Sequence, residues 1–263
     1  MKNNLRRGNR YTRKLNTLAQ AYRAAEVQII KAYFARPQSK SDHLRWLRAQ
    51  AFKEYAAIRP TFTALAKLYP AVDRGVDRHD FEGLTDKLAN ETKHARLVMD
   101  LLEEISGKRV AYAHLLWLPQ DRKLTTIRAK YSGVRSGFLL GSKAAAAAKT
   151  RREEIERAAV ALTEGGGRAL YRVCSQLKRQ GIEEQIARVF KEILLHKVAH
   201  KASGDRSLVS RITDEASFRR AAKIICEVAG QRLHMRNEQF GFPLSSDDLL
   251  ALQTHARRSS GKS

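Results

Sequence analysis

Glu91 stands where a leucine would normally be. Taking every third and fourth residue around it gives Leu84, Leu88, Glu91, Ala95, Val98, Leu102 and Ile105, one unbroken face of a helix. His94, three residues on, shares that side of the helix. A second stripe, Leu44, Leu47, Ala51, Glu54 and Ile58, repeats the anomaly with Glu54. An ionised carboxylate in such a slot is costly unless a counter-charge shares the site. That counter-charge is either a cation held jointly by several side chains or a buried basic residue, and the two lead to different chemistry.

Further polar groups recur at regular intervals. Glu164 lies in "LTEGGGRALYRV", and "HKVAH" places His196, Lys197 and His200 on one helix. Glu91-Thr92-Lys93-His94 is a Glu-x-x-His motif. Glu54 precedes it by a hairpin's length, a long crossover separates it from Glu164, and Lys197 follows Glu164 by a second hairpin's length. This order and spacing, over about residues 40 to 205, resembles the ferritin-like di-iron carboxylate superfamily, in which two helices give one Glu each and two give Glu-x-x-His.

The resemblance implies an all-α protein built on a four-helix bundle with one long crossover. It implies that Glu54, Glu91, His94, Glu164 and His200 position one or two metal ions, with coordination positions left open for dioxygen or peroxide. Such an oxygen-rich, nitrogen-poor donor set suits iron or manganese. The implied activity is that of a non-haem metal oxidoreductase or oxygenase acting on a small-molecule substrate. The family also contains hydroxylases of large partners, transfer RNA among them.

One position departs from the pattern. Where the fourth helix would carry its Glu, this chain has Lys197, which cannot ligate while charged. Three outcomes follow: His196 or Glu192 replaces the missing ligand, the site holds a single metal, or Lys197 pairs with Glu54, Glu91 or Glu164 and no metal binds. Glu26, at the flank of the stripe Leu15, Leu18, Tyr22, Ala25 and Ile29, is the rival of Glu54. His196 and His200, at i and i+4 with Glu192 on the same face, form an alternative zinc site.

The helices that must position these groups follow from the same periodicity. Helices are expected at 12 to 35, at 42 to 58 with Ser41 or Asp42 as N-cap, and at 79 to 106 with a stop at Gly107. Pro60 is expected to kink or restart the second of them, whose stripe continues to Pro70. Residues 108 to 143 read as an irregular crossover. Helices at 150 to 179, 182 to 202 and 214 to 238, the last capped by Thr213, complete the set. These boundaries describe a single domain: a basic arm at 1 to 14, a bundle at 40 to 205, an additional helix within 206 to 240, and a disordered basic tail at 255 to 263.

The chain of 263 residues carries 50 Lys and Arg against 27 Asp and Glu, a formal charge of +23. Residues 1 to 14 and 122 to 152 concentrate basic residues, an arrangement that favours nucleic acid or another polyanion through phosphate contacts. The competing class is therefore a helical binding protein that keeps the bundle without the metal and contacts a polyanion through its basic segments. Cys174 and Cys226 lack metal-site spacing and read as reduced thiols. A phosphate-binding Gly-rich loop, a GxSxG elbow and an HExxH helix are all missing from the sequence. With no apolar run of 18 residues and no signal-peptide pattern, the expected location is the cytoplasm with no membrane span.

Overall fold

The computed structural model describes residues 2–69, 78–131, 143–164, 166–199 and 212–258. Every regular element among them is helical. In chain order these are α1 (Lys2–Phe34), α2 (Lys40–Leu68), α3 (Arg78–Ser106), a 3-10 turn at Tyr112–His114, α4 (Pro119–Ala129), α5 (Lys143–Thr163), α6 (Gly166–Cys174), α7 (Ile182–Ala199), α8 (Glu215–Gln239) and α9 (Ser246–Arg258). The all-α class expected from the sequence is thus observed.

Where the sequence suggests one domain, the chain gathers into two compact units. One comprises residues 1–36, 119–173 and 197–263, the other 37–118 and 174–196. The expected bundle at 40 to 205 is divided between them, because 119–173 belongs to the first unit.

The second unit is built on α2, α3 and α7. Ser39 starts α2 through a capping box: its Oγ accepts from Asp42 N (3.2 Å) and its own N–H donates to the Asp42 carboxylate (3.1 Å). A hydrogen bond from the Ser39 hydroxyl to the same carboxylate (2.5 Å), with the backbone one, holds the Asp42 carboxyl below its ordinary range. The cap lies two residues before the expected Ser41 and three before Asp42. Helix α2 then runs through Pro60 to Leu68 without a break. The expected stop of α3 is observed, with Gly107 at φ +70° and its N–H bonded to Glu103 O at 2.8 Å.

Helix α7 lies antiparallel to α3, since Glu104 pairs with Arg188 at 2.7 Å and Lys93 with Glu192 at 3.0 Å. Buried Trp46, Leu47, Ala51, Val98, Leu101, Leu102, Ile186, Phe190 and Ile193 fill the interior of this unit, and the Trp46 and Phe190 rings sit 5.6 Å apart.

In the first unit α8 is the central element, packed by α1, α4 and α5. From Val228 to Phe240 every residue except His234 is buried. Leu15, Leu18, Tyr22, Ile29, Ile155, Ile224, Ile225 and Leu233 belong to one continuous apolar core. The N-cap of α8 is Asp214, which accepts from Ser217 N at 2.7 Å, so the cap falls one residue after the expected Thr213.

Four expectations change here. The helix expected from residue 12 begins at Lys2, so the segment read as a basic arm at 1 to 14 is helical and continuous with it. The crossover at 108 to 143 contains α4, opened by Pro119 at its first position, a favoured place for a residue lacking an N–H. The helix expected at 150 to 179 ends at Thr163, ahead of the three glycines, and resumes as α6. The tail expected to be disordered from 255 is helical through Arg258, with Ala256 buried. Residues 259–263 lie outside the described residues.

Candidate metal centre

Helices α2 and α3 bring their misplaced polar groups together. Glu54, Glu91 and His94 each offer a ligand atom, and those atoms lie within 4.8 Å of one another. Antiparallel pairing explains the meeting, because Glu54 is the central residue of α2 and Glu91 lies one residue before the centre of α3, at the same level of the paired helices. Glu54 is 3% exposed and its Oε1 accepts from Gln50 Nε2 at 2.5 Å, one helical turn back. His94 is 2% exposed, with Glu91 Oε2 standing 3.8 Å from its Nδ1, beyond hydrogen-bond length.

Neither ring nitrogen of His94 has a hydrogen-bond partner. A buried imidazole with two idle nitrogens costs about 1–3 kcal/mol per unmade bond, and native interiors seldom leave such groups without a reason. A divalent cation fits this arrangement. It would take one imidazole nitrogen and one oxygen from each carboxylate, and so remove the cost on all three side chains.

His196 of α7 adjoins the group. Its ring stacks on His94 with centroids 5.6 Å apart and planes 21° from parallel. Lys93 Nζ lies 3.2 Å from His196 Nε2 and 3.0 Å from Glu192 Oε1. The hydrogen bond and charge of Lys93 hold the Glu192 carboxyl below its ordinary range. Burial and the Lys93 ammonium push the His196 imidazole down. One turn from the start of α2, His43 is buried and accepts from the Trp46 indole N–H at 3.4 Å. Burial lowers its pKa as well.

The remaining sequence-derived candidates are placed differently. Glu164 belongs to the first unit, where it is exposed and ion-paired with Arg128 rather than turned into a core. Its backbone N–H closes the last turn of α5 on Ala161 O at 3.0 Å. Glu26, the rival of Glu54, is fully buried in the first unit and bound to Arg236, whose Nε and Nη2 each approach its Oε1 to 2.8 Å. A guanidinium therefore supplies its counter-charge. Glu192, named as a substitute ligand, is occupied by Lys93. His200 and the side chain of Lys197 lie outside the described residues, so the zinc pairing of His196 with His200 does too.

Two contributors escaped the sequence reading. Gln50 sits four residues before Glu54, beside the stripe and one helical turn back, a spacing that could have identified it as the orienting partner. Lys93 lies inside the Glu-x-x-His motif itself, yet its partners come from α7, more than 90 residues away, and no local pattern announces that.

Fold and site together define an all-α protein with a buried carboxylate–imidazole group whose ligand atoms are close enough together to share a metal ion. Comparisons with protein-family models, with curated proteins and with solved structures give no match. Among the described residues no helix is long and apolar enough to cross a membrane.

Proposed function

We propose that Glu54, Glu91 and His94 hold a divalent metal of the iron or manganese kind, and that the protein is a non-haem metal-dependent oxidoreductase or oxygenase. The observation that carries this reading is His94, a fully buried imidazole with both nitrogens idle beside two carboxylates. On this reading the ferritin-like resemblance applies to α2 and α3, the helices whose Glu and Glu-x-x-His groups come together. Three protein ligands leave coordination positions open, and an open position is what a catalytic metal needs for dioxygen or substrate. Gln50 orients Glu54, and the apolar interior of the unit limits water at the site.

The test is anaerobic loading with Fe(II) or Mn(II), followed by whole-protein metal analysis and dioxygen consumption. The reading expects about one metal per chain in the parent and at least a tenfold loss of affinity in His94→Ala and Glu91→Ala. A parent that takes up no metal would overturn it.

A second reading concerns the first unit and is favoured by the distribution of charge. Residues 37–118 and 174–196 hold 17 Lys and Arg against 14 Asp and Glu, whereas the first unit holds 33 against 13. Nearly all of the +23 therefore belongs to the unit without the metal group. Such an excess favours a nucleic acid by counterion release. Affinity for RNA that falls steeply between low and physiological salt supports this reading, and a flat profile removes it.

A further inference from the structure

We propose that His196 is held as an Nδ1–H donor by Lys93 and Glu192, and that this N–H hydrogen-bonds a small anionic or oxygen ligand bound at the open position of the metal. The inference rests on the metal reading of Glu54, Glu91 and His94 and adds a role to a residue that reading does not use.

Charge and tautomer supply the argument. Glu192 Oε1 lies 3.0 Å from Lys93 Nζ, and the same ammonium lies 3.2 Å from His196 Nε2. A lysine ammonium has three donors and no acceptor, so Nε2 must receive the bond with its lone pair. In a neutral imidazole the proton then sits on Nδ1.

Nδ1 of His196 is buried and has no hydrogen-bond partner. The two ring nitrogens point to opposite sides of the imidazole. Since Nε2 faces the half-exposed Lys93, Nδ1 faces the interior. The His196 ring itself lies against that of His94, one of the candidate ligands, with centroids 5.6 Å apart. Metal-bound anions carry strong acceptor lone pairs, and one fixed N–H beside an open coordination position is a means of orienting them.

This assignment also separates two roles open to His196. As a ligand it would need a free lone pair, but Lys93 occupies the one on Nε2 and the proton occupies Nδ1. It therefore acts on the metal's exogenous ligand rather than on the metal. Lys93 and Glu192 are positioning residues that act through it.

The experiment titrates azide into Co(II)-loaded protein and follows the visible ligand-field bands, with Co(II) affinity measured separately for each variant. His196→Phe keeps a ring for the stack and deletes both nitrogens. It is expected to bind azide about tenfold more weakly, as loss of one hydrogen bond to an anion predicts, with Co(II) affinity within about threefold of the parent. Lys93→Met, which releases the tautomer, should weaken azide in the same direction, and Lys93→Arg should restore it. A tenfold loss of Co(II) affinity in His196→Phe would make His196 a ligand and overturn the proposal. Unchanged azide affinity in His196→Phe would overturn it as well. A parent that binds no Co(II) would remove the metal reading itself, a result told apart from the other two because it needs no variant.

Discussion

Replacing Glu26 with glutamine deletes one charge and almost no volume, which makes it a clean probe of the interior of the first unit. Glu26 and Arg236 are 1% and 2% exposed or less, with both guanidinium contacts at 2.8 Å. Arg236 also donates to Gln239 Oε1 at 2.5 Å, so its position is fixed from two sides. Arg232 lies one turn earlier on the same helix. Its Nε and Nη2 have no hydrogen-bond partner, and burial pushes its guanidinium pKa down against the opposing pull of Glu26. Glu26 therefore balances two buried cations. Removing one partner of a buried pair costs about 3–5 kcal/mol, and the second guanidinium argues for the upper part of that range. At about 2–4 °C per kcal/mol for a chain of this size, Glu26→Gln should lower the melting temperature by about 6–20 °C in calorimetry. The double replacement Glu26→Leu with Arg236→Met should recover part of the loss, because Arg232 remains. Metal stoichiometry should not change in Glu26→Gln. A drop of less than about 2 °C would refute the electrostatic reasoning, and lost metal would return Glu26 to the ligand set.

Four further outcomes follow from the same structure. Gln50→Leu should keep the helix but release Glu54, weakening metal affinity about 10–100-fold in a competition titration; unchanged affinity would remove Gln50 from the site. Burial depresses the pKa of His43, so the unfolded chain binds its proton more readily than the native one. Its contribution is complete above the ordinary histidine pKa of about 6.5 and is lost as the pH falls below it. Denaturant midpoints between pH 7.5 and 5 should therefore fall less steeply in His43→Gln than in the parent. Phe242 is exposed and sits at φ 62°, a region that disfavours side chains with a Cβ, so Phe242→Gly should raise stability by about 1 kcal/mol in urea denaturation. Arg188→Ala removes an exposed partner of Glu104 and should cost less than about 1 kcal/mol; a larger loss would mean that the pair does more than close the helix seam.

The parts of the fold that were legible in the sequence are those set by local periodicity. The stripe from Leu84 to Ile105 gave α3 to within a residue, and Gly107 marked its end because only a residue free to take positive φ closes that turn without strain. Helix α9 was missed although Ser245 accepts from Asp248 N at 3.1 Å, a Ser-x-x-Asp start visible in the sequence. The basic residues of its last turn, His255, Arg257 and Arg258, have the composition of a solvated tail and mask that signal. Pro119 at the first position of α4 is a second such start, inside the stretch expected to be irregular. Glu54, Glu91 and His94 were legible because a charge in an apolar stripe is a local anomaly. The surroundings of Glu164 and Glu26 were not, because their partners Arg128 and Arg236 come from distant parts of the chain. Helical spacing shows that a carboxylate is buried or amphipathic, and only the tertiary fold decides whether an arginine or a cation faces it.

The most direct measurement is anomalous diffraction from crystals grown with Mn(II), collected on both sides of the metal edge. The account predicts one peak within bonding distance of a carboxylate oxygen of Glu54, a carboxylate oxygen of Glu91 and a nitrogen of His94. A well-ordered site with these three side chains and no peak, or a peak held by other residues alone, would contradict it.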